Sequence, residues 1–128
     1  MNILAVQDVG GYDNKMFIDK VDLDICIALR KKGYKIFKIQ YEGLLHEIGH
    51  ARQINLLFRK WEVYNHPAIR RYYMCRIASY LLKKYVSVYT LKFFLKEIFQ
   101  TLLVLIFEDN NQEKIVKSCK GFIEGFKM

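Results

Sequence analysis

An α/β fold with a helical tail is what the order of hydrophobic periods predicts for this chain. Its first 60 residues mix short alternating runs with one amphipathic stretch, and residues 61–128 repeat apolar side chains every three or four positions. Only one proline and seven glycines interrupt the 128 residues, so long elements and short connections are expected. That length suits a single domain with an ordinary core, divided into a part over 1–60 and a helical part over 61–128.

In chain order, a short apolar lead ends at the turn Gly10-Gly11-Tyr12-Asp13. Lys20 to Lys32 reads as a helix: Val21, Ile25, Ala28 and Leu29 share one face, Gly33 stops it, and its acids stand at the front, where the helix dipole favours them. Tyr34 to Ile39 alternates apolar and basic side chains like a half-buried strand, and Gly43 to Ile48 is a second strand candidate. Asn65 is placed to cap a helix with Pro67 in its first turn and Ile69, Tyr73, Ile77, Tyr80 and Leu81 along its core side. In the next helix Leu91, Phe94, Leu95, Ile98, Leu102, Leu105 and Ile106 form the core stripe. Phe93, Phe99, Leu103, Val104 and Phe107 make its other side apolar too, so this helix wants cover on both sides. Asn110 and Glu113 have the spacing of a capping pair for a last helix that runs out near Gly121.

Cys26, Cys75 and Cys119 are far apart in apolar or helical surroundings and read as reduced thiols, which suits a cytoplasmic protein. The start MNILAVQDVGG lacks the basic-then-apolar order of a signal peptide. The longest uncharged apolar run, Ile98 to Phe107, has ten residues, against the roughly 20 that span a bilayer. Charge is divided along the chain: residues 1–24 carry a net −3 and the remainder +11. A basic surface of this kind fits nucleic acid, anionic lipid or phosphorylated substrates, and charge alone does not choose among them.

Three groups of residues carry chemistry. The stretch His46-Glu47-Ile48-Gly49-His50 spells H-E-x-x-H; on a helix its two imidazoles would share a zinc ion and Glu47 would activate the bound water. The longer form of that motif needs glycine and histidine where Gln53 and Leu56 stand. Asp19, Asp22 and Asp24 are either helix-front charge or a cluster that holds a metal or accepts a proton. Arg70-Arg71-Tyr72-Tyr73 joins arginines for phosphates with tyrosines for base stacking, but at helical spacing the commoner meaning is a packed face edged with arginine, and no nucleic-acid partner is expected.

Taken together and in order, DVGGYDNKMFIDKVDLDIC, RKKGYKI, LLHEIG, HPAIRRYYMCR and KGFIEGF resemble the C-terminal part of family 2 glycosyltransferases, closest to the bacterial rhamnosyltransferase-like group that builds capsular and cell-wall polysaccharides. The resemblance implies a GT-A-type portion over 1–60, forming the acceptor side of the catalytic domain, and a helical extension over 61–128. It implies transfer of a sugar such as rhamnose from a nucleotide sugar to a polysaccharide or lipid-linked acceptor. Asp22 matches the catalytic base that takes the proton of the acceptor hydroxyl, with Asp19 and Asp24 as flanking acids. His46 matches the histidine that faces the divalent metal, magnesium or manganese, at the diphosphate. Glu47 and His50 are then incidental neighbours.

The chain departs from the family at Ala28, where an arginine is usual, and at Ile77, where an asparagine is usual. No strand-helix-strand half ending in a D-x-D metal motif precedes the acidic helix. The expectation is a segment that binds no metal or donor tightly alone, is inactive alone, and works with a separate N-terminal half at the inner face of the cell membrane. Two alternatives stand beside it: a zinc hydrolase centred on His46 and His50, and a noncatalytic helical module that binds a membrane or a partner through Leu91 to Phe107 and its edging lysines.

Overall fold

The computed structural model describes residues 2–37, 40, 52–56 and 59–128, without the side chains of Leu56 and Arg59. The chain divides into two compact units, Met1–His46 and Glu47–Met128. The first contains α1 (Ile3–Asp8) and α2 (Val21–Lys31). The second contains β1 (Arg52–Leu56), β2 (Arg59–Val63), α3 (Ala68–Tyr85), α4 (Val88–Phe107) and α5 (Asn111–Lys127).

This overturns the α/β expectation: among the described residues, five helices accompany a single two-stranded antiparallel sheet, which makes a small helical protein and not a GT-A portion. Residues 34–37 form no strand, and Ile36 and Phe37 are exposed. Alternation alone does not make a strand, because its N–H and C=O groups need a ladder to pair with. The other strand candidate, Gly43 to Ile48, lies outside the described residues.

In the first unit, the Asn2 side chain caps α1 by accepting from the Leu4 N–H at 3.0 Å. Ala5 of α1 packs on Ile25 and Leu29 of α2, with Val6 and Val9 beside them. As the spacing predicts, α2 stops at Gly33. Gly33 takes a φ of +94°, its N–H donates to Arg30 O, and the Tyr34 N–H donates to Leu29 O. That pair of bonds is the Schellman closure, which glycine reaches without a Cβ clash.

In the second unit, β1 and β2 pair with Ile54 opposite Trp61 and Arg52 opposite Val63. Ile54, Trp61 and Val63 face α4, where they meet Phe99, Leu103 and Phe107, and the Trp61 and Phe99 rings lie 4.5 Å apart. Gln53, Asn55, Lys60 and Glu62 alternate with them and stay exposed. The α4 helix opens with a reciprocal cap: the Ser87 side chain accepts from the Thr90 N–H, and the Thr90 side chain accepts from the Ser87 N–H.

The tightest packing is between α3 and α5. A Cβ on Gly121 would stand 2.3 Å from Tyr72 O, and one on Gly125 would stand 2.2 Å from Arg76 O and 2.7 Å from the Ser79 Cβ. Backbone therefore rests on backbone, with Cys75, Ser79 and Ser118 fully buried alongside. This is why α5 does not run out near Gly121: both glycines sit in its interior. Each costs about 0.8–1.0 kcal/mol of helix propensity relative to alanine, and the close approach they permit offsets it.

Two charged ties hold the remaining helices. Arg71 of α3 pairs with Glu97 of α4 at 3.4 Å and donates to the Thr101 hydroxyl at 2.7 Å, all three buried. Lys114 of α5 pairs with Glu108 at 2.9 Å and also donates to the Asn65 side chain. The Asn65 N–H in turn donates to Glu108 at 3.0 Å. Asn65 is thus a tertiary staple with a φ of +49°, and not the cap of α3, whose N-cap position is Pro67. The pairing of Asn110 with Glu113 is absent as well: Asn110 makes no side-chain cap, and the Asn111 side chain donates to Leu105 O instead.

The inward side of α4 is the reverse of the expected one. Leu103 and Val104 are buried, whereas Leu91, Leu95, Ile98, Leu102, Leu105 and Ile106 of the expected core stripe are exposed. Ile69 of α3 is exposed too, while Ile77, Tyr80 and Leu81 take the core places expected of them.

Gly125→Ala should lower stability by about 1–3 kcal/mol, the usual cost of overpacking, despite its better helix propensity; a urea midpoint at or above that of the parent chain would count against the seam. Glu97→Leu alone should cost about 3–5 kcal/mol, because it leaves the Arg71 charge buried without its partner. Adding Arg71→Met should recover most of that loss, and a double variant no more stable than the single one would contradict the account.

Candidate functional site

Asp22 and Asp24 both lie in the first turn of α2. Two positions apart on a helix, they point about 200° away from each other. Their burial follows that geometry: Asp22 is exposed and Asp24 is only 3 % exposed. Asp19 stands half-buried just before the helix. The three acids that cluster in sequence are thus dealt to different environments, and Asp22 is the one whose carboxylate meets solvent at the positive end of the helix dipole.

The approach to α2 is strained. Asp19 and Lys20 take φ values of +55° and +59°, so two successive residues with side chains adopt the left-handed conformation. An aspartate tolerates it, whereas for a lysine the usual cost is roughly 1–2 kcal/mol. Residues held this way cluster at functional sites, where the bend aims a neighbouring group. With no glycine at either position, the sequence carried no signal of this bend.

Asp8, at the end of α1, clasps the far end of α2. Its Oδ2 accepts from the Tyr34 hydroxyl at 3.0 Å and its Oδ1 pairs with Lys32 at 3.4 Å. The bond to Asp8 raises the Tyr34 pKa above the ordinary phenol value. A raised phenol stabilises the fold at every pH below its ordinary range and loses that contribution as the hydroxyl ionises in strong alkali, so the clasp is intact at neutral pH. One turn beyond Asp22 on the same face stands Cys26. With Asn2, Leu29, Tyr34 and Lys35 it lines an open groove of about 470 Å³, a volume in the range of small-molecule sites.

His46, and with it the whole H-E-x-x-H stretch, lies outside the described residues. Among the described residues no three His, Cys, Asp or Glu side chains converge in a way that could hold a metal ion. The arginine and tyrosine stretch is largely a packed face: Arg71 is buried against Glu97, Tyr72 donates its hydroxyl to Glu124, and the Tyr72 and Tyr73 rings meet edge-on at 5.0 Å. That contact lowers the Glu124 pKa and raises that of Tyr72. Among the described residues, no helix is long and apolar enough to cross a membrane. Compared with known proteins, the chain matches no family, no curated protein and no solved structure.

Lys20→Gly should relieve the left-handed strain and, net of the larger backbone entropy that glycine loses on folding, stabilise α2 by about 0.5–1 kcal/mol. Amide-exchange protection of Ile25 and Leu29 is the measurement; unchanged or weakened protection would mean that the bend holds no strain.

Proposed function

We propose that this chain is a segment of a glycosyltransferase and that Asp22 is its general base. In the reaction, the Asp22 carboxylate accepts the proton of an acceptor hydroxyl while that oxygen forms its bond to the anomeric carbon of a nucleotide sugar; the bond from that carbon to the diphosphate breaks, and the nucleoside diphosphate leaves with its electron pair. A positioned base of this kind contributes typically 10²- to 10⁴-fold to the rate. The acceptor is a polysaccharide or lipid-linked glycan and the donor sugar is one such as rhamnose, by the sequence resemblance.

The observation that carries the reading is the separation of the acids of α2. Asp22 faces solvent directly after a strained bend and on the face that continues to the Cys26 groove, whereas Asp24 is turned inward. A base must reach a hydroxyl within about 2.6–3.2 Å, and of the two carboxylates in this turn only Asp22 is open to a bulky glycan. Asp24 and Asp19 then act as positioning residues, one beneath the turn and one on the bend that leads into it. Donor binding falls to a separate nucleotide-binding segment.

The test is acceptor recognition followed by transfer. Saturation-transfer NMR with short rhamnose-containing oligosaccharides should show acceptor protons in contact with the chain, with amide shifts concentrated in residues 19–26. Asp22→Asn, an exposed and nearly isosteric change, should leave the fold and this binding intact. Joined to a nucleotide-sugar-binding segment, the same variant should lower kcat at least about 100-fold with little change in the acceptor KM. Absence of acceptor contacts in a folded chain would sink the proposal, as would transfer indifferent to Asp22→Asn.

A further inference from the structure

On α4, Val88, Leu91, Leu95, Ile98, Leu102 and Leu105 follow one another at intervals of three, four, three, four and three residues. Every one of them is exposed, from 36 % at Ile98 to 70 % at Val88. A strict alternation of three and four is the seam of a helix pair, narrower than the face by which a helix packs on a core. The core-facing task of α4 is already performed by its other side, where Glu97, Thr101, Leu103 and Val104 are buried. Six layers over 18 residues therefore run along the outside of the second unit.

We propose that this seam is an interface between two copies of the chain, joined through antiparallel α4 helices. In the antiparallel register the six positions match one another without remainder: Val88 meets Leu105 of the second copy, Leu91 meets Leu102, and Leu95 meets Ile98, each contact occurring twice by two-fold symmetry. The helix dipoles favour this direction. The only acid of α4, Glu97, is turned inward to Arg71 and takes no part in the seam. The antiparallel pair opposes the helix dipoles, which a parallel pair would align. The six side chains expose roughly 500 Å² per copy, or about 1,000 Å² over the pair, which reaches the lower bound of a specific interface. Phe94, stacked edge-on with Phe126 of α5 at 5.7 Å, extends the apolar surface at the flank. This inference does not depend on the transfer reaction proposed above.

Light scattering and sedimentation over a range of concentrations give the test. The chain should run at twice its 15.3 kDa mass. Leu95→Lys, at an exposed position, should keep the helical circular dichroism and raise the dimer dissociation constant at least about thirtyfold, as loss of a central anchor does. Ile98→Glu should do the same. An equimolar mixture of the two variants should regain the dimer, because position 95 of one copy meets position 98 of the other only in the antiparallel register. A parent chain that stays monomeric at about 100 μM would overturn the proposal, as would a mixture no more dimeric than its components. A monomer that floats with vesicles of anionic lipid, but not with neutral ones, would overturn it in favour of a lipid surface on the same stripe.

Discussion

Two glycines let α5 lie on the backbone of α3, and the arrangement of the second unit follows from that contact. With Gly121 over Tyr72 O and Gly125 over Arg76 O, the helices are closer than any pair separated by side chains. At that distance there is no room between them for a large residue, so Cys75, Ser79 and Ser118 fill the seam. Burial also raises the Cys75 thiol pKa, which keeps it a neutral packing group. The bulky apolar side chains are displaced to the side where α4 and the hairpin pack, and there Trp61, Phe99, Phe107 and Leu103 do the filling.

What the seam leaves undecided is the rotation of α4, because that helix is apolar on both sides and hydrophobic burial alone could accept either. The buried polar groups break the tie. Glu97 and Thr101 must face Arg71, and Glu108 must reach Lys114 and Asn65, since each would otherwise be an uncompensated charge or hydroxyl in a dry interior. Once those ties are made, Leu103 and Val104 point inward and the leucines of the three-four stripe point out. Polar contacts worth little in net stability thus select among packings that are nearly equal in apolar area.

How much of this was legible in the sequence depends on the range of the deciding interaction. The α2 helix and its stop at Gly33 are local chemistry, and the chain spelled both. The hairpin was hidden because the residues between its strands are Leu57 and Phe58, which carry none of the Asn-Gly or Gly signals of a two-residue turn. The strand expected over 34–39 rested on alternation, and its described part, residues 34–37, forms no strand. Gly121 was read as a helix stop because the usual meaning of glycine is local, whereas its role here is set by Tyr72, 49 positions away. At the candidate site the acids stood out by spacing, but which of them meets solvent required the helix geometry. The left-handed pair at Asp19 and Lys20 left no mark on residue choice at all.

The short links between the last three helices have a consequence for how the second unit assembles. Only Val86 and Ser87 separate α3 from α4, and three residues separate α4 from α5. The seam joins positions about 49 residues apart, yet the chain between them is mostly the α4 helix, so the ends are brought together by a stiff rod with two bends and not by closing a floppy loop. Helical units with such local connectivity fold quickly. The slow event should be the arrival of the hairpin, since its inner face has nothing to bind until α4 has chosen its rotation. Arg71 and Glu97 would then set the order of folding as well as its outcome, with the three helices committed before the sheet has a surface on which to form.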